Sequence, residues 1–123
     1  MSQVNLKKED VNSILGQILE KGECPIYSSL ANLYRGILNA AGGHLVLTNR
    51  RFLFIDHGFN LQWKARKEEE SIYLDDVADV ETKTVMFVSK RLVVKKKNGT
   101  EQEYVVWNLD KWMDAVRNIM PSS

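Results

Sequence analysis

Apolar residues along this 123-residue chain keep a helical period near both ends and a strand period between them. Near the start, Val11, Ile14, Leu15, Ile18 and Leu19 recur at steps of three and four, which lays them on one helix face. Asn5 is the N-cap this pattern predicts, Glu9 and Asp10 suit a first turn, and Gly22 supplies the stop. Near the end, Trp112, Met113, Val116, Ile119 and Met120 form a second stripe, capped by Asn108 or Asp110 and closed by Pro121.

From Cys24 the period changes. Ile26 to Ile37, with Tyr27, Leu30, Leu33 and Tyr34, predicts a bent first strand, and Asn39 to Gly43 a loop. His44–Thr48 and Arg51–Asp56 predict a hairpin turning at Asn49-Arg50. Phe59, Leu61, Trp63 and Ala65 alternate with polar neighbours as in a half-buried strand, ahead of the charged connection Arg66–Glu70. Ile72 and Leu74 sit at strand spacing. Arg91–Lys97 and Glu101–Trp107 flank Asn98-Gly99, a dipeptide suited to the positive φ of tight hairpins. Seven short strands closed by an amphipathic helix are what a small antiparallel barrel with one open corner requires.

The length suits one domain, and 44% hydrophobic residues can build its core. A formal net charge of +1 excludes a strong global pull on nucleic acid, and no nucleic-acid partner is expected. The single cysteine, Cys24, excludes an intrachain disulfide and reads as a small hydrophobe at a strand start in a reducing compartment. The polar first ten residues carry no secretory pattern, and no run approaches the roughly 20 apolar residues that span a bilayer. A soluble cytoplasmic domain is the expectation.

Two motifs stand inside this layout. Gly43-x-Leu45-x-Leu47-Thr48-Asn49-x-Arg51 spells the hairpin, and Ile72-x-Leu74-x-Asp76-Val77-x-x-Val80 follows it. Together with the final helix they resemble GRAM and bacterial pleckstrin-homology-like domains over roughly Glu23 to Met120. The resemblance implies a mainly β fold: a seven-stranded antiparallel barrel of two packed sheets, capped by the C-terminal helix, with Trp112 turned into the barrel. Residues 1–22 are then an extra helical extension before a domain at 23–120, expected to pack on the barrel.

Catalytic and metal chemistry find no support. There is no G-x-S-x-G, no phosphate-binding loop and no nucleophile–base spacing, so no enzyme and no cofactor are expected. His44 and His57, with Asp56 or Glu23, carry ligating atoms, but no short His-x-His spacing gathers them. Asp75, Asp76 and Asp79 lack the later glycine and glutamate of a calcium loop, and Asp76 reads as a turn residue. No metal site is expected.

The resemblance implies a binding module, and the residues leave two readings. Pleckstrin-homology domains that hold phosphoinositides use basic residues around the first hairpin loop, yet Gly36–Gly43 is uncharged here. The candidate cations are Arg50 and Arg51, Lys64 and Arg66, and the run Lys95, Lys96 and Lys97, which point to weak peripheral association with anionic membrane lipid. The alternative is a protein partner, or a second copy, meeting the edge of the first strand at Tyr27, Leu30, Leu33 and Tyr34, together with the N-terminal helix.

Overall fold

The computed structural model describes residues 8–34, 40–56 and 69–120. Helix α1 (Lys8–Ile18) precedes strands β1 (Pro25–Tyr34), β2 (Ala40–Thr48), β3 (Arg51–Asp56) and β4 (Glu69–Tyr73). A single 3-10 turn, Leu74–Asp76, leads into β5 (Val77–Val85), β6 (Ser89–Lys96) and β7 (Glu101–Val106), and helix α2 (Leu109–Ile119) ends the fold. Every strand pair is antiparallel.

Hydrogen bonding runs unbroken through one seven-stranded sheet in the order β4-β3-β2-β1-β7-β6-β5, so the two packed layers of the expected barrel are continuous. In a flat sheet, strands six steps apart would lie about 29 Å from each other. Only Leu74–Asp76 separate the ends of the outer strands β4 and β5, a reach of about 14 Å. The sheet therefore has to curl over, and its concave side encloses a core drawn from all seven strands. Leu33, Leu45, Leu47, Phe52, Phe54, Leu92, Val94 and Tyr104 are buried there, and α2 closes it with Trp112, Ala115 and Val116.

The β2–β3 hairpin is buried on both faces, which explains its unbroken apolar spelling. Leu45, Leu47, Phe52 and Phe54 turn into the main core. The alternate residues Val46, Leu53 and Ile55 form a second cluster with Leu15 of α1, against which Ile18 and Leu19 pack. Thus α1 does pack on the barrel. Gly43 sits where the chains approach closely, since a Cβ there would overlap the Ile55 carbonyl oxygen.

Three expectations need correction. Ala40 to Gly43 belong to β2, paired with Ala31–Tyr34; their backbone groups form the ladder although their side chains give no period. A strand, β5, occupies Val77–Val85, where polar residues at Glu81 to Thr84 hide any alternation because the strand lies at the sheet's edge. The Asn98-Gly99 turn keeps positive φ only at Gly99, at 92°, with the Gly99 amide donating to the Lys96 carbonyl at 3.0 Å. The strand expected at Phe59–Ala65, the cap Asn5, and His57 lie outside the described residues.

Candidate functional site

The hairpin motif builds a fastening. Thr48 Oγ1 donates to Glu23 Oε2 at 2.6 Å and accepts the amides of Arg50 and Arg51. Asn49 Oδ1 accepts the Cys24 amide at 2.8 Å, while Nδ2 donates to the Gly22 carbonyl at 3.0 Å. Arg51, only 4% exposed, donates to Glu23 from Nε and Nη2, to Ser71 Oγ from Nη1, and to the Ile18 carbonyl from Nη2. Thr48, Asn49 and Arg51 thus tie the end of α1 and the segment before β1 to the β3–β4 edge. Arg51 is removed from the lipid-facing set, because a buried guanidinium held on two sides cannot reach a headgroup. Arg50 stays at the surface, 3.4 Å from Glu20, whose other oxygen accepts the Tyr73 hydroxyl at 2.7 Å.

Burial pushes the Glu23 carboxyl upward, but hydrogen bonds from Arg51, Thr48 and the Glu20 amide outweigh it and hold Glu23 below its ordinary 4.5. Hydrogen bonding from Arg91 lowers Glu103 in the same direction. A depressed carboxyl stabilises the fold fully above the ordinary value and loses that contribution as pH falls through the lowered one. The unfolding midpoint is therefore expected to drop on titration below about pH 4.5, with Glu23→Gln showing a shallower acid slope. An unchanged midpoint from neutral pH to about pH 3 would contradict this arrangement.

The remaining cations divide. Lys95 pairs with Glu81 at 3.1 Å and lies 3.8 Å from Glu101, while Lys83 and Arg91 share Glu103. Lys96 and Lys97 line a shallow cavity of about 230 Å³ with Ser71, Ile72, Tyr73, Asp76 and Asn98. It is smaller than the roughly 300–1,000 Å³ of drug-sized ligand pockets, and Asp76 opposes an anion there. Lys64 and Arg66 lie outside the described residues.

The protein-docking set on β1 is also rearranged. β1 is an interior strand, paired with β2 along its length and with β7 over Ala31–Tyr34, so it offers no free edge there. Leu33 is buried in the core, Tyr27 packs edge-on against Trp112, and Tyr34 lies under the Arg91 guanidinium. Leu30 alone of the four is exposed. Cys24 is exposed too, and contributes its backbone amide rather than a packed side chain.

Periodicity missed the most exposed apolar group among the described residues. β6 pairs with β7 only from Arg91 to Lys95, so Thr84–Val85 and Ser89–Lys90 pair with each other alone and project as an arm. At its tip Met86, Phe87 and Val88 are 80%, 97% and 79% exposed. Met86 and Phe87 hold φ of 55° and 64°, a left-handed turn closed by the Val88 amide on the Val85 carbonyl. Asn and Gly suit such a turn; bulkier residues there cost about 1–2 kcal/mol each. Behind the tip stand Lys83, Lys90 and Arg91, with Lys83 and Arg91 sharing one acid, Glu103. Lys90 makes no ion pair among the described residues.

No protein-family model and no curated protein matches the sequence. Solved structures do. The C-terminal domain of an unknown protein from Leishmania infantum superposes with a TM-score of 0.69 at 15% identity, covering 91% of this chain and 95% of that one. The Vps36 N-terminal PH domain gives 0.65 at 23% identity over 83% of each chain. The fold is pleckstrin-homology-like. The linker-DH/PH domains of p115-RhoGEF follow at 0.61 and 11% identity, covering 92% of this chain and 33% of that one. These identities establish the pleckstrin-homology-like architecture alone. No helix among the described residues is long and apolar enough to cross a membrane.

Proposed function

We propose that this chain is a non-catalytic binding module that docks at the cytoplasmic surface of an anionic membrane through the end of the β5–β6 arm. The observation that carries the reading is the arm's charge. From Thr82 to Thr100 the sequence holds six lysines and arginines and no acid. At the base of the arm Lys83 and Arg91 share Glu103, and with Lys90 on the projecting part the three cations leave a surplus of two positive charges.

The pleckstrin-homology-like fold supports a role in binding, of lipid or of protein, without choosing between them. Lipid is favoured because β1 keeps no free edge over its β7-paired residues Ala31–Tyr34, while the arm carries Lys90 beyond the β6–β7 pairing. Near an anionic surface each lysine or arginine contributes about 1 kcal/mol, so a surplus of two gives weak, reversible docking. Screening over a Debye length of about 8 Å makes it salt-sensitive.

Sedimentation with vesicles tests the reading. Binding is expected with phosphatidylserine-containing vesicles at low salt, reduced at physiological salt and weakened by Lys90→Glu. Absence of pelleting with those vesicles at low salt would overturn it.

A further inference from the structure

We infer that Met86, Phe87 and Val88 form a wedge that enters the hydrocarbon boundary of an anionic bilayer. The inference rests on the membrane reading above and adds the site of entry and its mode. Three observations converge on it.

The first is exposure at one point. These three consecutive apolar residues occupy the tip of an arm that pairs with nothing beyond its own two strands, and Phe87 is 97% exposed. The second is the backbone. Both Met86 and Phe87 sit at positive φ, where the other described residues of that conformation are the glycines Gly22 and Gly99. Turn chemistry selects against Met-Phe at these positions, and so does solubility, so their presence needs a reason outside the turn. The third is charge. Lys83 and Lys90 stand just behind the tip, and no acid lies between Thr82 and Thr100. That order, apolar point first and cations one step back, matches the depth profile of an anionic membrane, with acyl chains inside and phosphates outside.

The neighbouring surface continues the pattern. Val106 pairs with Ala31, and the residue one step beyond each, Trp107 and Leu30, is 65% and 51% exposed. The register thus brings a tryptophan and a leucine to one margin of the sheet, and tryptophan is enriched at the level of lipid headgroups.

The test uses a variant that keeps the turn. Met86→Asn with Phe87→Gly places the preferred dipeptide in the same left-handed turn, so it should fold at least as well as the parent chain. Both proteins are sedimented with phosphatidylserine-containing vesicles across a salt series. The parent is expected to retain a salt-resistant fraction, and the double variant to bind about tenfold more weakly and lose that fraction. Separately, Phe87→Trp is expected to be quenched by lipids brominated on their acyl chains. If the double variant pellets like the parent and Phe87→Trp is not quenched, the wedge is overturned while electrostatic docking stands. If the parent fails to pellet with these vesicles even at low salt, the membrane reading falls and the wedge falls with it.

Discussion

Replacing Arg51 with alanine is expected to destabilise the fold by about 3–5 kcal/mol, because it leaves the Glu23 carboxylate buried without its counter-charge. The side chains of this pair are 4% and 0% exposed, so water cannot take over the solvation that Arg51 supplies. The loss extends past the ion pair. Arg51 also satisfies the Ile18 carbonyl at the end of α1 and the Ser71 hydroxyl on β4. For a domain of this size the thermal midpoint should fall by on the order of 10–20 °C. Arg50→Ala is the control. Its partner Glu20 is half exposed, and a surface pair of that kind is worth about 1 kcal/mol or less. Thermal denaturation of the two variants side by side decides the matter, and similar midpoints would remove Arg51 from its structural role.

Trp112→Ala is expected to cost about 3–5 kcal/mol. Trp112 is fully buried, meets the Tyr27 ring edge-on at 4.8 Å between centroids, and donates from Nε1 to Ser29 Oγ at 2.9 Å. It is the contact through which α2 seals the curled sheet against β1. Trp112→Phe keeps much of the apolar volume and loses the hydrogen bond, so it should cost roughly 1–3 kcal/mol. Trp107→Ala, on an exposed side chain, should stay within about 0.5 kcal/mol. Urea titrations read all three through their midpoints. If the Trp107 and Trp112 truncations cost the same, α2 does not close the core as described.

What the residues disclosed depended on whether side-chain burial and backbone conformation told the same story. The β2–β3 hairpin was legible because both faces are buried and the turn carries Thr48 and Asn49, whose side chains bond locally. Trp112 was legible because an amphipathic stripe has one inward side. The strand β5 was not, because an edge strand with solvent on most sides needs no alternation. Arg50 and Arg51 look alike in sequence. Only the register, which turns Arg51 toward Glu23 and leaves Arg50 outside, separates a clamp from a surface charge. The tip was the hardest to foresee. Val85-Met86-Phe87-Val88 spells a core strand, and nothing in those residue types announces a left-handed turn in solvent. The sequence-based lipid set therefore fell on Lys95, which is ion-paired, and on Lys96 and Lys97 beside Asp76.

The packing of α1 bears on how this chain should be dissected. A shortened form beginning at Glu23 would strip Leu15, Ile18 and Leu19 from the sheet and leave Val46, Leu53 and Ile55 bare and adjoining. Three aliphatic side chains on a regular β surface form a ready self-association face. The same cut would leave Arg51 without the Ile18 carbonyl. A fragment bounded at residue 23 would thus be prone to dimers and aggregates of its own making, and any partner recovered with it would owe its capture to the missing helix. The smallest trustworthy unit for binding experiments begins at or before Lys8.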